Sequence, residues 1–160
     1  MCIRDSAYAA DNPQRYYDPN GEDITLFYRR GVFDEGHAML VAVNQQTGAA
    51  AALDYRPDSS SSGTWPLLKY PAADMSVGPD RLSEHASLTV QTTPEEAQKV
   101  IDFIGQFQQG HPTFQVPFSD CATACEEALR VIGIDLDSWT PDGLWFQLYA
   151  ICLLYTSRCV

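Results

Sequence analysis

The residues most able to do chemistry lie in Ser119–Ile134, which reads SDCATACEEALRVIGI. Ser119 or Asp120 can accept hydrogen bonds from the free N–H groups of a helix start. Ala122, Cys125, Ala128, Leu129 and Ile132 recur at helical spacing, and Gly133 suits a helix end. A short helix opening with Cys121 is therefore predicted. A cysteine in a first turn faces the positive end of the helix dipole and free N–H groups, which favour the nucleophilic thiolate. Such a nucleophile needs a base, and the base needs an orienting group. The chain has three histidines, His37, His85 and His111. His37 follows Gly36 and opens the apolar run Ala38–Val43, so its imidazole is expected at a strand end, where it can face a helix tip. Cys121 as nucleophile and His37 as base would attack a carbonyl. Hairpin pairing around residues 45–48 would set Asp54–Arg56 opposite His37. Asp54 is the expected orienter, although a register slip of one residue would turn it away. His85, opening another strand, is the runner-up.

Plainer readings stand beside these. Cysteine is among the most buried residue types, so Cys121 can be structural. His37 can be an ordinary surface or capped histidine, and His85 a structural one. Cys125, one turn along the apolar stripe, reads as core. His111, before Pro112, reads as a loop residue, and Asp54 can be a solvated strand-end charge. The Asp34–Glu35 and Glu126–Glu127 pairs read as solvated faces. C-x-x-x-C within a helix is poor metal-ligand spacing, so no metal or other cofactor is expected.

The elements that must position these residues follow in order. Ile24–Arg29 is rich in β-formers and reads as a strand. Ala38–Val43 is a buried strand, 44–48 a hairpin turn, and Ala49–Tyr55 the returning strand. Residues 58–64 are a flexible loop by composition. Trp65–Tyr70 adds a short strand, 71–84 is irregular and acidic, and Ala86–Gln91 alternates as a strand. Thr93 and Glu96 form a capping box for a helix at Pro94–Gln108, with Pro94 in its first position. Ala97, Val100, Ile101, Ile104 and Phe107 form its apolar stripe. His111–Phe118 is an extended link. After the cysteine helix, Thr140 and Pro141 start a last helix through Leu148. Strands first and helices later predict an α+β fold, with helices packed on one face of an antiparallel sheet.

The formal net charge is −11. MCIRDS at 1–6 can be encoded by ATGTGTATAAGAGACAGN, whose reverse complement, shifted in frame, encodes CLLYTS, the sequence of Cys152–Ser157. That word resembles a transposon-type sequencing adaptor, so 1–6 and 151–160 read as translated adaptor and are set aside from fold reasoning. They carry Arg4, Arg158 and Asp5, a sum of +1, which leaves −12 on residues 7–150. An acidic body argues against nucleic acid or an anionic membrane as a partner. Of five cysteines, Cys121 and Cys125 remain. Four apart on one helix, they make a poor structural disulfide. No apolar run reaches the roughly 20 residues that span a membrane.

Two resemblances add to this reading. Residues 7–21, AYAADNPQRYYDPNG, resemble the closing segment of the Rhs-repeat-associated core domain, a run like "YAYxxNNPxxYxDPxG". In that family the segment closes a large secreted cage, and a variable effector domain follows. The resemblance implies that residues 22–150 are such an effector, part of a larger secreted or cell-surface protein and delivered into a target cell. An immunity protein is then an implied partner. Asp18 matches an aspartate that the family associates with self-cleavage. GHAMLVAV at 36–43 and DCATACEEALRVIGI at 120–134 resemble the "GHxxLxV" and "NCxTFxxxxLxxxGI" contexts of circularly permuted papain-like enzymes, the NlpC-type amidases and lecithin:retinol acyltransferase relatives. That likeness spans His37–Leu148. It implies a permuted papain-like fold with Cys121 as nucleophile and His37 as base. Backbone N–H groups at the start of the cysteine helix would serve as oxyanion donors. Hydrolysis of an amide bond in a protein or peptide-like substrate is the reaction expected first, with acyl transfer in the same fold. Two departures matter. Asp120 stands where the family has asparagine, and a carboxylate there raises the thiol pKa unless capping offsets it. Cys125 stands where an aromatic often packs. The rival expectation is a catalytically inert binding or structural tail of an Rhs-like surface protein.

Overall fold

Alternating β-formers over 22–29 and 37–44 build the centre of the molecule. In the computed structural model, the residues described are 22–29, 36–56, 69–70, 85–110, 113–115 and 119–154. The readings placed on 1–21 (Asp18 included), Asp34–Glu35, 58–64, 71–84, His111 and 155–160 lie outside them. Strands β1 (Glu22–Arg29), β2 (His37–Asn44), β3 (Ala49–Leu53) and β5 (Ala86–Gln91) form one antiparallel sheet in the order β3-β2-β1-β5. The pair β4 (Lys69–Tyr70) and β6 (Phe114–Gln115) forms a separate two-stranded ladder. The helices are α1 (Pro94–Gln109), α2 (Cys121–Arg130) and α3 (Pro141–Leu154). The architecture is α+β.

Register decides which side chains meet the helices. Ile24, Leu26, Ala38, Leu40, Ala42, Leu53, Leu88 and Val90 share one face, because Leu26 pairs with both Leu40 and Leu88, and Leu40 pairs with Leu53. That face joins Val100 and Ile104 of α1, Cys125, Ala128 and Leu129 of α2, and Leu144 and Leu148 of α3 in one core. All three helices therefore cover the same side of the sheet. Each fully buried leucine contributes roughly 1.5–3 kcal/mol. On the other face Thr25 and Thr89, directly opposite one another, share a hydroxyl hydrogen bond at 3.0 Å.

Local rules fix the joints. The Thr93 side chain accepts from the Glu96 N–H and Glu96 accepts from the Thr93 N–H, so the capping box forms as expected. Buried Asn44 donates to Pro94 O at 3.0 Å and to Gln98 Oε1 at 3.2 Å, and accepts from the Thr47 N–H, which ties the β2–β3 turn to the start of α1. Gly48, at φ +71°, closes that turn. The returning strand ends at Leu53 rather than Tyr55, two residues short of the expectation. The last helix is longer than expected. Residues 151–154 continue it, with Cys152 buried in the core and disulfide-bonded. No helix among the described residues is long and apolar enough to cross a membrane.

Candidate functional site

Two local features place Cys121 where it is. Asp120 is the N-cap of α2. Its Oδ1 accepts from the Ala122 and Thr123 N–H groups at 3.0 Å each, and the Thr123 hydroxyl accepts from the Asp120 N–H at 2.8 Å. Gly133, at φ +80°, ends the turn that follows α2, with the Ile134 N–H reaching back to Leu129 O. The helix thus opens with Cys121 as its first residue.

The helix start meets the start of β2. The backbone N–H groups of Ala38, Cys121 and Ala122 lie close enough to Cys121 Sγ to pull its pKa down. Sγ therefore lies against the backbone of the residue that follows His37. The His37 side chain, 16% exposed, bonds through Nε2 to Asp54 Oδ1 at 2.6 Å, and Asp54 is fully buried. The second oxygen of Asp54 faces Arg56 Nε at 3.6 Å. Because a carboxylate takes the Nε2 proton, the neutral imidazole carries its lone pair on Nδ1. Nδ1 is the ring nitrogen nearer the His37 main chain. No direct hydrogen bond joins Sγ to the imidazole; the ring's hydrogen-bond partner is Asp54. His85, expected as the alternative orienter, is buried beside this pair with its ring edge-on to His37 at a centroid separation of 6.2 Å. The structure thus gathers Asp54, His37, His85 and the sulfur of Cys121 at one end of the sheet. Cys125 lies fully in the core.

Electrostatics depart from the expected thiolate. Burial pushes the Cys121 thiol up to about 12, and the neighbouring Asp120 charge adds to that, outweighing the three backbone N–H groups that pull it down. Cys121 is 5% exposed. The local dipole argument holds for a helix end in water, whereas this helix end is capped by a carboxylate and covered by β2. Asp120 itself is raised above the usual carboxylate range, first by burial. The expectation for oxyanion donors changes as well. Asp120 occupies the Ala122 and Thr123 N–H groups, so the donor left at the helix start is the N–H of Cys121. Glu126, read as solvated, instead accepts from Arg130 and from the Ser138 N–H.

Sequence reasoning missed the link that joins the two halves of this site. Tyr55 follows Asp54 and is 1% exposed, with its ring at 5.0 Å from Phe107 and 5.2 Å from Phe114. Its hydroxyl bonds Ser119 Oγ at 3.1 Å, two residues before Cys121. A tyrosine at the end of the expected returning strand was the available signal, since a phenol that becomes buried needs a polar partner. Among the described residues no cluster of three or more His, Cys, Asp and Glu could hold a metal ion. Comparison of the chain with protein-family models, with curated proteins and with solved structures gives no match.

Proposed function

We propose that this domain is a thiol hydrolase of the permuted papain-like kind, cleaving amide bonds in a protein or peptide-like substrate. The single observation that supports it most is the 2.6 Å bond from His37 Nε2 to buried Asp54, with Cys121 Sγ against the N–H of the next residue. That arrangement leaves Nδ1 as the base. On substrate binding Nδ1 takes the thiol proton while Sγ bonds to the carbonyl carbon. The Cys121 N–H faces the developing oxyanion. As the tetrahedral adduct collapses, the C–N bond breaks and the imidazolium protonates the departing amine. Water, deprotonated by the same nitrogen, then hydrolyses the thioester. Asp54 holds the ring and its tautomer throughout. A neutral resting thiol suits a base that acts during attack rather than a standing ion pair.

The segment at 7–21 supports placing this domain as the C-terminal effector of an Rhs-type protein, secreted or surface-borne and paired with an immunity protein. The inert-tail reading draws on a different observation, the buried thiol with its high pKa. Acylation by p-nitrophenyl acetate separates the two. The enzyme reading expects an acetyl group on Cys121 and continued p-nitrophenolate release, both lost in Cys121→Ala and His37→Ala. Equal release by the parent and Cys121→Ala would overturn it.

A further inference from the structure

We infer that Tyr55 is a positioning residue of this site, its hydroxyl tying the segment that carries Asp54 to the start of the cysteine helix through Ser119; the inference rests on the proposed hydrolase reading. The last ladder pair between β2 and β3 is Leu40 with Leu53. Asp54 therefore lies just beyond the sheet pairing that could fix its height relative to His37. The next residue, Tyr55, sends its ring into the core between Phe107 of α1 and Phe114 of β6. There its hydroxyl meets Ser119 Oγ at 3.1 Å, across 64 positions of sequence. Ser119 directly precedes Asp120, whose carboxylate caps the helix that Cys121 opens.

Short covalent paths make this bond a gauge. Its tyrosine end is the neighbour of Asp54 in the chain, and a single residue, Asp120, separates its serine end from Cys121. A shift of either end moves the orienting carboxylate or the sulfur with it. Apolar packing alone would be satisfied by phenylalanine at 55, because the aromatic neighbours contact the ring. The hydroxyl adds a directional constraint between two elements that meet at the reacting atoms. Misplacement by about 1 Å is enough to slow an enzyme by about 100-fold.

The test uses the full 160-residue chain with Tyr55→Phe, Ser119→Ala, Ser119→Thr and the Tyr55→Phe/Ser119→Ala double variant. The rate of Cys121 acetylation by p-nitrophenyl acetate is followed from pH 5 to 9, at a temperature where thermal melts show every variant folded. Tyr55→Phe and Ser119→Ala are each expected to slow acetylation at least fivefold and to alter the shape of the pH profile. The double variant is expected to match either single one, and Ser119→Thr, which keeps a hydroxyl, to recover the parent profile. Profiles that superimpose on the parent, with only the melting temperature lowered, would show that the bond merely satisfies a buried phenol and would overturn the inference. Should Tyr55→Phe disturb packing, the Ser119→Ala and Ser119→Thr pair decides alone. His37→Ala serves as the reference. If it too leaves the profile unchanged, the hydrolase reading falls and the positioning role with it; if it abolishes acetylation while the tether variants do not, only the positioning role falls.

Discussion

Replacing His37 by alanine separates a catalytic cysteine from one that is merely buried. The fold holds the Cys121 thiol at about 12. At about pH 7.5 such a thiol lies about 4.5 decades below half-ionisation, against about one decade for an exposed cysteine of pKa about 8.5. Its thiolate population is smaller by about 3,000-fold. A more basic thiolate is also more nucleophilic; with a Brønsted slope of about 0.45 this recovers about 40-fold. Direct alkylation of Cys121 without a base should therefore run about 75-fold slower than that of a free cysteine, and rise tenfold per pH unit up to about pH 11. That line is the expected behaviour of His37→Ala. On the proposed mechanism Nδ1 of the parent removes the proton as sulfur attacks, and general-base help of this kind is worth about 10²–10⁴. The parent rate at about pH 7.5 should exceed the variant's by at least about tenfold, the low margin allowing for a site that closes only around substrate. The assay is iodoacetamide labelling of folded protein, read by mass spectrometry at Cys121, with fully buried Cys125 as the internal reference. Limited access slows the parent and the variant alike, so their ratio is the readout. A parent that follows the same tenfold-per-unit line as His37→Ala would refute the reasoning and leave Cys121 a structural thiol.

Asp120→Asn should keep the helix cap, since asparagine caps as well as aspartate, while removing the charge that helps raise the Cys121 thiol; melting should change by only a few degrees and labelling in a His37→Ala background should set in at lower pH. Cys121, Cys125 and Tyr55 are all raised, each first by burial. Their neutral forms fit the fold and their ionised forms do not, so stability is intact below about pH 8 and falls as pH climbs beyond it, where the unfolded chain releases protons that the folded chain keeps; thermal melts from pH 7 to 11 check this, and Cys121→Ala should flatten the fall. A Cβ on Gly143 would clash with Ser138 Oγ and lie 3.2 Å from Ser138 Cβ, so Gly143→Ala should cost about 1–3 kcal/mol in denaturant unfolding, part of it recovered by adding Ser138→Ala.

Local chemistry made much of this molecule legible and tertiary cover hid the rest. The capping box at Thr93 and Glu96 and the helix opening at Cys121 needed only neighbours within one turn. The approach of Asp54 to His37 followed from the length of one hairpin turn, because residues 45–48 fix the register of β2 and β3. The sheet order was not legible: β1 sits between β2 and β5, and no local rule brings Ala86–Gln91 back across more than 50 residues to pair with it. The state of the thiol was not legible either, for a related reason. Dipole and N–H groups belong to the helix itself, whereas desolvation belongs to whatever packs over it, here the start of β2. Asp120 joins the two scales. Its carboxylate satisfies the N–H groups of Ala122 and Thr123, which anchors the helix, and by doing so withdraws those donors from any oxyanion and adds a negative charge beside the sulfur. A helix end built this way is stable and chemically quiet on its own. Any reactivity at Cys121 must then come from outside this helix, from an imidazole whose far nitrogen is already committed to Asp54, and the proposed chemistry consequently depends on His37 more than on the helix that presents the sulfur.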